Sequence, residues 1–448
     1  MPHQRAYFGH LCLIILSFLS LSAFNAMAFP EGGSISPARA IELSVIKGEQ
    51  LTPLLNKQSE HYSVMSIIDE QLVPIPFQFD DVNLRGFVFT PGGKLVIDGE
   101  EGIFEEQDQL ALMYKDTGPE ATLEQQSSVE GQVVAEIVFN DKGRESFAYV
   151  IEGNSERSQK HYTYFDQETG LIKTSAYTLQ VDPKNLLMWE DYFYEGFTDQ
   201  RGLLDTMKLR VHVKFGFLKA TISNKFIPNR IVAVKNGPVR SIIEMDAGLS
   251  VFGIQLATAG ASVVVTENTT EFPVYITIPG AASVLADNLF VEISLDFDKM
   301  QGMAFRTELG PKEPLISGSG VGNPEDYKVD LEHSWLSASS YKNWDIVALF
   351  KRDPNFVATL GSLYFDETRG HDADGPERVK GSSPQLGYTA ENIPTGIDTF
   401  LGIDLFYSPD FWQGNNVEAA IEEIRNHVPT QVNVLQGSTD VIASDVVL

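Results

Sequence analysis

Four cationic or protonatable side chains occupy every second position of one run, Lys208, Arg210, His212 and Lys214. Met207, Leu209, Val211, Val213, Phe215 and Phe217 take the alternate places. Period two is the signature of a half-buried strand, and side chains two apart on a strand share a face at a spacing of ~6.5–7 Å. The run therefore puts a row of like charge on one face, and such a row repels itself unless something offsets it. Two arrangements do. A neighbouring strand with an acidic face can pair with the row, and Glu292, Ser294, Asp296 and Asp298 form such a face in this sequence. Alternatively, an anionic ligand supplies the charge, for example a uronate-containing polysaccharide or another carboxylate- or phosphate-bearing molecule. The row sits in a wider basic stretch. From Thr206 to Ile243 there are eight Lys and Arg, Arg240 among them, and no Asp or Glu, in a chain of formal net charge −28.

Other residues could bind ligands. Trp189, Tyr192, Tyr194 and Phe197 cluster in one segment, and flat rings of this kind either stack on sugar faces or pack in a core. Asp80, Asp81, Asp98 and Glu100 begin a concentration of hard oxygen donors of the sort calcium takes. The span from Asp98 departs from the calcium-loop pattern, with Ile103 at the sixth position and Gln109 at the twelfth. No cofactor is expected otherwise. His371, Asp372 and Asp374 place imidazole and carboxylate together in a glycine-containing loop, without the spacing of a zinc motif. The chain has no Gly-x-Ser-x-Gly elbow, no His-Glu-x-x-His and no P-loop.

The elements that must position these residues read mainly as strands. Val133 to Phe139 and Phe147 to Ile151 flank the turn Asn140-Asp141-Lys142-Gly143, and Val64 to Phe79 alternates with breaks near Asp69 and Pro74. Short strands at this spacing predict a mainly β fold, a β-sandwich or supersandwich. One helix is expected over 417–428, capped by Asn416 and stopped by Pro429, with Val417, Ala420, Ile421, Ile424 and Val428 on one face. That helix, the C-terminal Leu448 and the lack of a uniform outward apolar band argue against a membrane β-barrel.

The first 28 residues have the layout of a secretory signal: Arg5, an apolar run from Leu11 to Leu21, then Ala26-Met27-Ala28. Cleavage after Ala28 would leave 420 residues with 32 basic and 61 acidic side chains, no cysteine and no transmembrane anchor, in the periplasm or outside the cell. The acidic excess disfavours nucleic acid as a partner. The expected division is an amino-terminal sandwich-like domain over 29–155, a larger supersandwich-like domain over 156–436, and a loose tail over 437–448.

Two stretches carry a resemblance. The first is Leu72-Val73-Pro74-Ile75-Pro76-Phe77-Gln78-Phe79-Asp80-Asp81, followed by Glu106-Gln107-Asp108-Gln109-Leu110, and the second is Asn236-Gly237-Pro238-Val239-Arg240. Together they resemble uncharacterised exported β-sandwich proteins, some of them similar to the galactose-mutarotase-like supersandwich of carbohydrate proteins. The resemblance covers about a quarter of the chain. It implies a fold and a carbohydrate context, and it assigns no catalytic residue. Two functions fit: an exported binding or accessory protein for an anionic or carbohydrate ligand, or a polysaccharide lyase or hydrolase acting on an acidic glycan, with Lys208, Arg210 and His212 as its first candidates.

Overall fold

Strand pairing dominates the computed structural model, which describes residues 35–194, 202–215, 218–251, 254–280, 289–298, 300–341, 344–369, 384–412 and 416–435. The proposed leader, the tail over 437–448, Phe197 and the His371–Asp374 loop lie outside these residues. The mainly β class expected from the alternation is what the chain forms, with antiparallel strands throughout the described residues. None of the helices among these residues is long and apolar enough to cross a membrane.

Local turn chemistry fixes the hairpins. Strands Gln132–Asp141 and Arg144–Glu152 join through Lys142 and Gly143, with φ of 55° and 91°. Asp69 and Glu70, at 51° and 65°, do the same between Tyr62–Ile68 and Gln71–Pro74. Two consecutive left-handed residues match the right-handed twist of the strands they connect. The break expected near Asp69 is therefore a two-residue turn.

The larger body is a sandwich. One sheet has nine strands, in the order Asn229–Asn236, Ser241–Val251, Ile254–Val265, Thr269–Ile278, Ile397–Ser408, Asp345–Arg352, Leu336–Ser339, Ala304–Thr307 and Leu315–Ile316. The facing sheet has five: Leu218–Ser223, Leu204–Phe215, Leu289–Phe297, Gln385–Glu391 and Thr359–Phe365. Their inner faces share one apolar core, which includes Met207, Val211, Met245, Val263, Phe297, Ile346 and Leu386. A four-stranded meander over Thr163–Asp166, Leu171–Thr174, Tyr177–Asp182 and Asn185–Tyr194 joins the same core through Phe165, Leu179 and Trp189.

A smaller layer pair lies on the outer side of the nine-stranded sheet. Leu43–Lys47, Gln109–Met113 and Phe77–Asp80 form a three-stranded sheet. It packs through Ile46, Leu110 and Phe77 on the sheet containing Tyr62–Ile68 and Gln132–Asp141. The last described strand, Thr430–Val434, pairs with Gln132–Asp141 of this smaller body.

The carboxy-terminal helix is shorter than its sequence pattern, spanning Val417–Arg425, and the Asn416 side chain makes no capping hydrogen bond. Its apolar stripe behaves as expected: Val417 and Ile421 are buried against Trp335, Val347, Leu349 and Trp412. The early stop has a local cause. Buried Arg39 donates to the carbonyls of Glu423 and Asn426 at 3.0 and 2.9 Å, and Val428 N–H donates to the Glu42 carboxylate at 2.7 Å instead of to a helical carbonyl. Arg39 also bonds Glu42 at 2.7 Å and Asp141 at 3.3 Å. Arg39→Ala removes four charge-assisted or capping bonds at once and is expected to lower unfolding stability by about 3 kcal/mol. Lysine, a point charge without the guanidinium fork, should not restore it. Denaturant titration of both variants checks this, and a loss under 1 kcal/mol would show that the helix end is held by other contacts.

The core of the large sandwich is not filled. Between its two sheets lies a void of about 300 Å³. Its lining includes Ala257, Ala259 and Ala261, three inward-facing alanines in succession on one strand.

Candidate functional site

The basic row lies where the alternation put it, on the face of Leu204–Phe215 opposite the core. Antiparallel pairing brings Arg210 opposite Glu292 and Lys208 opposite Ser294 on Leu289–Phe297. Lys208 Nζ lies 2.7 Å from Asp296 with both side chains 2% exposed, and it reaches Gln385 Oε1 at 3.5 Å. Arg210 Nη1 donates to Glu292 at 3.3 Å, and His212 Nε2 lies 3.1 Å from the same carboxylate. Lys214, further along, is exposed. Of the two arrangements open to the row, pairing with the acidic strand accounts for Lys208, Arg210 and His212.

The described members of the aromatic cluster, Trp189, Tyr192 and Tyr194, pack at the core. Trp189 and Tyr192 are 4% and 3% exposed, and Tyr192 stacks on Tyr177 at 5.4 Å and accepts the Trp344 indole N–H at 3.1 Å. Tyr194 is half-buried and stacks on Trp344 at 6.2 Å. These rings offer no open platform for a sugar.

Arg240 and Asp80, placed in two separate candidate sites by sequence, are partners. Arg240 Nε donates to Asp80 Oδ2 at 2.8 Å, and Lys235 Nζ lies 2.6 Å from Asp80 Oδ1. Gln78 donates to Asp80 at 2.7 Å, and Arg240 Nη2 donates to Gln109 at 2.9 Å. The stretches that carried the family resemblance therefore dock on each other, in a buried joint between the three-stranded and nine-stranded sheets. Gly237 allows the close approach: a Cβ there would sit 1.8 Å from Gln78 Oε1. Asp81 instead accepts the Gly102 N–H, while Asp98 and Glu100 are exposed. The four acidic residues do not converge. Among the described residues, no three His, Cys, Asp or Glu side chains group as they would around a metal ion.

A different site does come together, on the outer face of the nine-stranded sheet. Here a cleft of about 790 Å³ with a mixed polar and apolar lining runs beneath the three-stranded sheet and past the carboxy-terminal helix. Register builds its floor. Strands Thr269–Ile278 and Ile397–Ser408 place Glu271 opposite Asp404, Pro273 opposite Gly402, and Tyr275 opposite Phe400. Lys351, on Asp345–Arg352, lies opposite Gly402 from the other side and forms an ion pair with Asp404. The carboxylate rung and the aromatic rung are four residues apart, about 13 Å at ~3.3 Å per residue. Between them Pro273 and Gly402 leave the floor without a long side chain. Phe87 packs on Tyr275 at 4.9 Å, Arg85 lies over the same ring at 5.6 Å, and Phe400 meets it at 5.5 Å.

The charges of this floor are unequal. Glu271 and Lys351 line the cleft, and Asp404 lies just beneath them, 2% exposed. Like charges directly opposite on neighbouring strands repel. Burial, then the Glu271 charge, push the Asp404 carboxyl up, and Lys351 only partly offsets them, leaving it at about 7. Near neutrality the Asp404 carboxyl therefore still carries its proton in part, beside the Lys351 ammonium.

Sequence reasoning did not find this floor, because its three charged residues come from strands far apart in the chain. One signal was present. Proline is unusual in a strand with neighbours on both sides. Pro273 keeps its pairing to Gly402, but the ladder toward Ile254–Val265 skips between Val274 and Glu271.

No protein-family model and no curated sequence matches the chain. Among solved structures it is similar to an alpha-mannosidase from Enterococcus faecalis V583, with 10% identity and a TM-score of 0.45, over 88% of this chain and 44% of that one. A protein described as a mutarotase from Salmonella typhimurium is similar at 9% identity and a TM-score of 0.33, over 53% of this chain and 90% of that one. The alpha-N-acetylgalactosaminidase NagBb from Bifidobacterium bifidum is similar at 8% identity and a TM-score of 0.35, over 57% and 39%. These neighbours are carbohydrate-active by name. The chain spans less than half the length of the mannosidase, and overlap this partial says nothing about its chemistry.

Proposed function

We propose that the chain is an exported carbohydrate-binding protein, acting in the periplasm or outside the cell, whose ligand lies in the cleft on the outer face of the nine-stranded sheet. The observation that carries this reading is the spacing of the floor: an aromatic rung, a flat Pro–Gly gap, then a rung of two carboxylates beside a lysine. A sugar ring has an apolar face to pack against the cluster of Phe87, Tyr275 and Phe400, and hydroxyls for Glu271 and Lys351. Arg85 and Lys351 would also receive the carboxylate of an acidic sugar. A second reading, a glycoside hydrolase, draws on the carboxylate pair itself. In such a reaction Asp404, whose carboxyl is raised by burial, would supply the proton to the glycosidic oxygen, and Glu271 would be the second carboxyl.

The test is a binding and turnover screen of the secreted protein against neutral and acidic oligosaccharides, followed by calorimetry on Tyr275→Ala. Stacking of about 1.4 kcal/mol corresponds to tenfold weaker binding, and that loss is expected with the fold unchanged. Product formation that vanishes in both Glu271→Gln and Asp404→Asn would establish the hydrolase. Absence of binding across the panel, or full binding by Tyr275→Ala, would remove the cleft as the site.

A further inference from the structure

The void inside the large sandwich is a second site, independent of the cleft, and we infer that it takes a single aliphatic chain such as the acyl chain of a lipid. Three observations lead there. First, the space is built in by residue choice. On Ile254–Val265 the inward positions Ala257, Ala259 and Ala261 are small where their strand neighbours carry Leu249, Val274 and Ile276. A sandwich selected only for packing would fill those positions.

Second, the apolar surface left accessible is concentrated midway along the strands. On the nine-stranded sheet the inward residues Phe272, Val274 and Ile276 keep accessible surface, while Thr270 and Ile278 before and after them are 1% and 5% exposed. On the facing sheet Val291, Ile293 and Leu295 keep it, between Leu289 at 5% and Phe297 at 2%. Ile393 and Ile397, the latter opposite Ile278, also keep accessible surface and mark an end by which a chain can enter.

Third, the lining decides the chemistry of the occupant. None of the residues around the void is charged. The Tyr388 hydroxyl among them already donates to the backbone, at 2.6 Å from the Ser334 carbonyl. A sugar or an ion entering here would lose its hydration without replacement, whereas a hydrocarbon loses nothing. Apolar cavities of ~150 Å³ stay dry and bind benzene. This one, at about 300 Å³, is twice that size. Facing sheets stand ~10 Å apart, so the space is a slot one chain deep and not a globular hole.

The experiment is fluorescence titration of the full secreted protein with cis-parinaric acid, followed by displacement with palmitate. Saturable binding near one per chain is expected, with displacement by palmitate. Ala259→Phe, which occupies the slot, should weaken binding at least tenfold and raise the melting temperature. Ala261→Val adds only two methyl groups and should give a smaller loss with the fold intact, so the inference stays testable if the larger substitution disrupts folding. Tyr275→Ala should bind parinaric acid as the wild type does, which separates this site from the cleft. No saturable binding by the wild type, affinity unchanged in a folded filling variant, or uptake of benzene without palmitate would each overturn the acyl-chain assignment.

Discussion

Arg240→Ala is expected to lower unfolding stability by about 3 kcal/mol. Asp80 is fully buried, and its carboxylate is held by Arg240, Lys235 and Gln78. Removing one partner of a buried ion pair costs ~3–5 kcal/mol, and the lower end applies because Lys235 remains. The pH dependence has a definite sign. Burial alone would push the Asp80 carboxyl up, but the Arg240 and Lys235 charges, with hydrogen bonds from Lys235 and Gln78, hold it below its ordinary value. A depressed carboxyl contributes stability that is complete above the unfolded pKa of ~3.9 and is lost as pH falls through the folded value. The joint should therefore hold at neutral pH and weaken only in strong acid. Denaturant midpoints at pH 7 and pH 3 measure both effects. An Arg240→Ala protein of full stability that had lost ligand binding would return Arg240 to the role its charge suggested in the sequence.

Asp404→Asn is expected to behave in the opposite way, making the protein more stable in mild alkali. The Asp404 carboxyl stands at about 7 in the fold, against ~3.9 when unfolded. A raised carboxyl contributes stability that is complete below the unfolded pKa and disappears as pH climbs through the folded one. At ~1.36 kcal/mol per pKa unit, the difference between pH 4 and pH 8 is on the order of 4 kcal/mol. Asparagine abolishes it, so Asp404→Asn should exceed the wild type by about 2 kcal/mol or more at pH 8 and should flatten the pH profile. Thermal melts from pH 4 to pH 8 test this. Parallel profiles for the two proteins would mean that Asp404 is ionised throughout, with Lys351 neutralising it fully.

What the sequence discloses follows from the range of each interaction. Strands and hairpins depend on period-two alternation and on turn residues such as Lys142-Gly143, all local. The helix is legible from its stripe, but not its end, because the stop is set by Arg39, hundreds of residues earlier. The basic row is legible as a row, and pairing with the acidic strand was one of the two arrangements expected. The partnership of Asp80 with Arg240 was hidden because each alone has the composition of a ligand site. The cleft was hidden more deeply. Glu271, Lys351 and Asp404 are ordinary surface-type residues until pairing across three strands sets them side by side. The void is a matter of three alanines whose meaning depends on what faces them.

Hydrogen–deuterium exchange of the wild type, with and without the tightest-binding oligosaccharide of the panel, locates the ligand directly. Slowed exchange should map to Thr269–Ile278, Asp345–Arg352 and Ile397–Ser408, with the Phe87 segment that covers Tyr275. Protection centred instead on Leu204–Phe215 and Leu289–Phe297 would put the sugar on the basic row and contradict the assignment of the cleft.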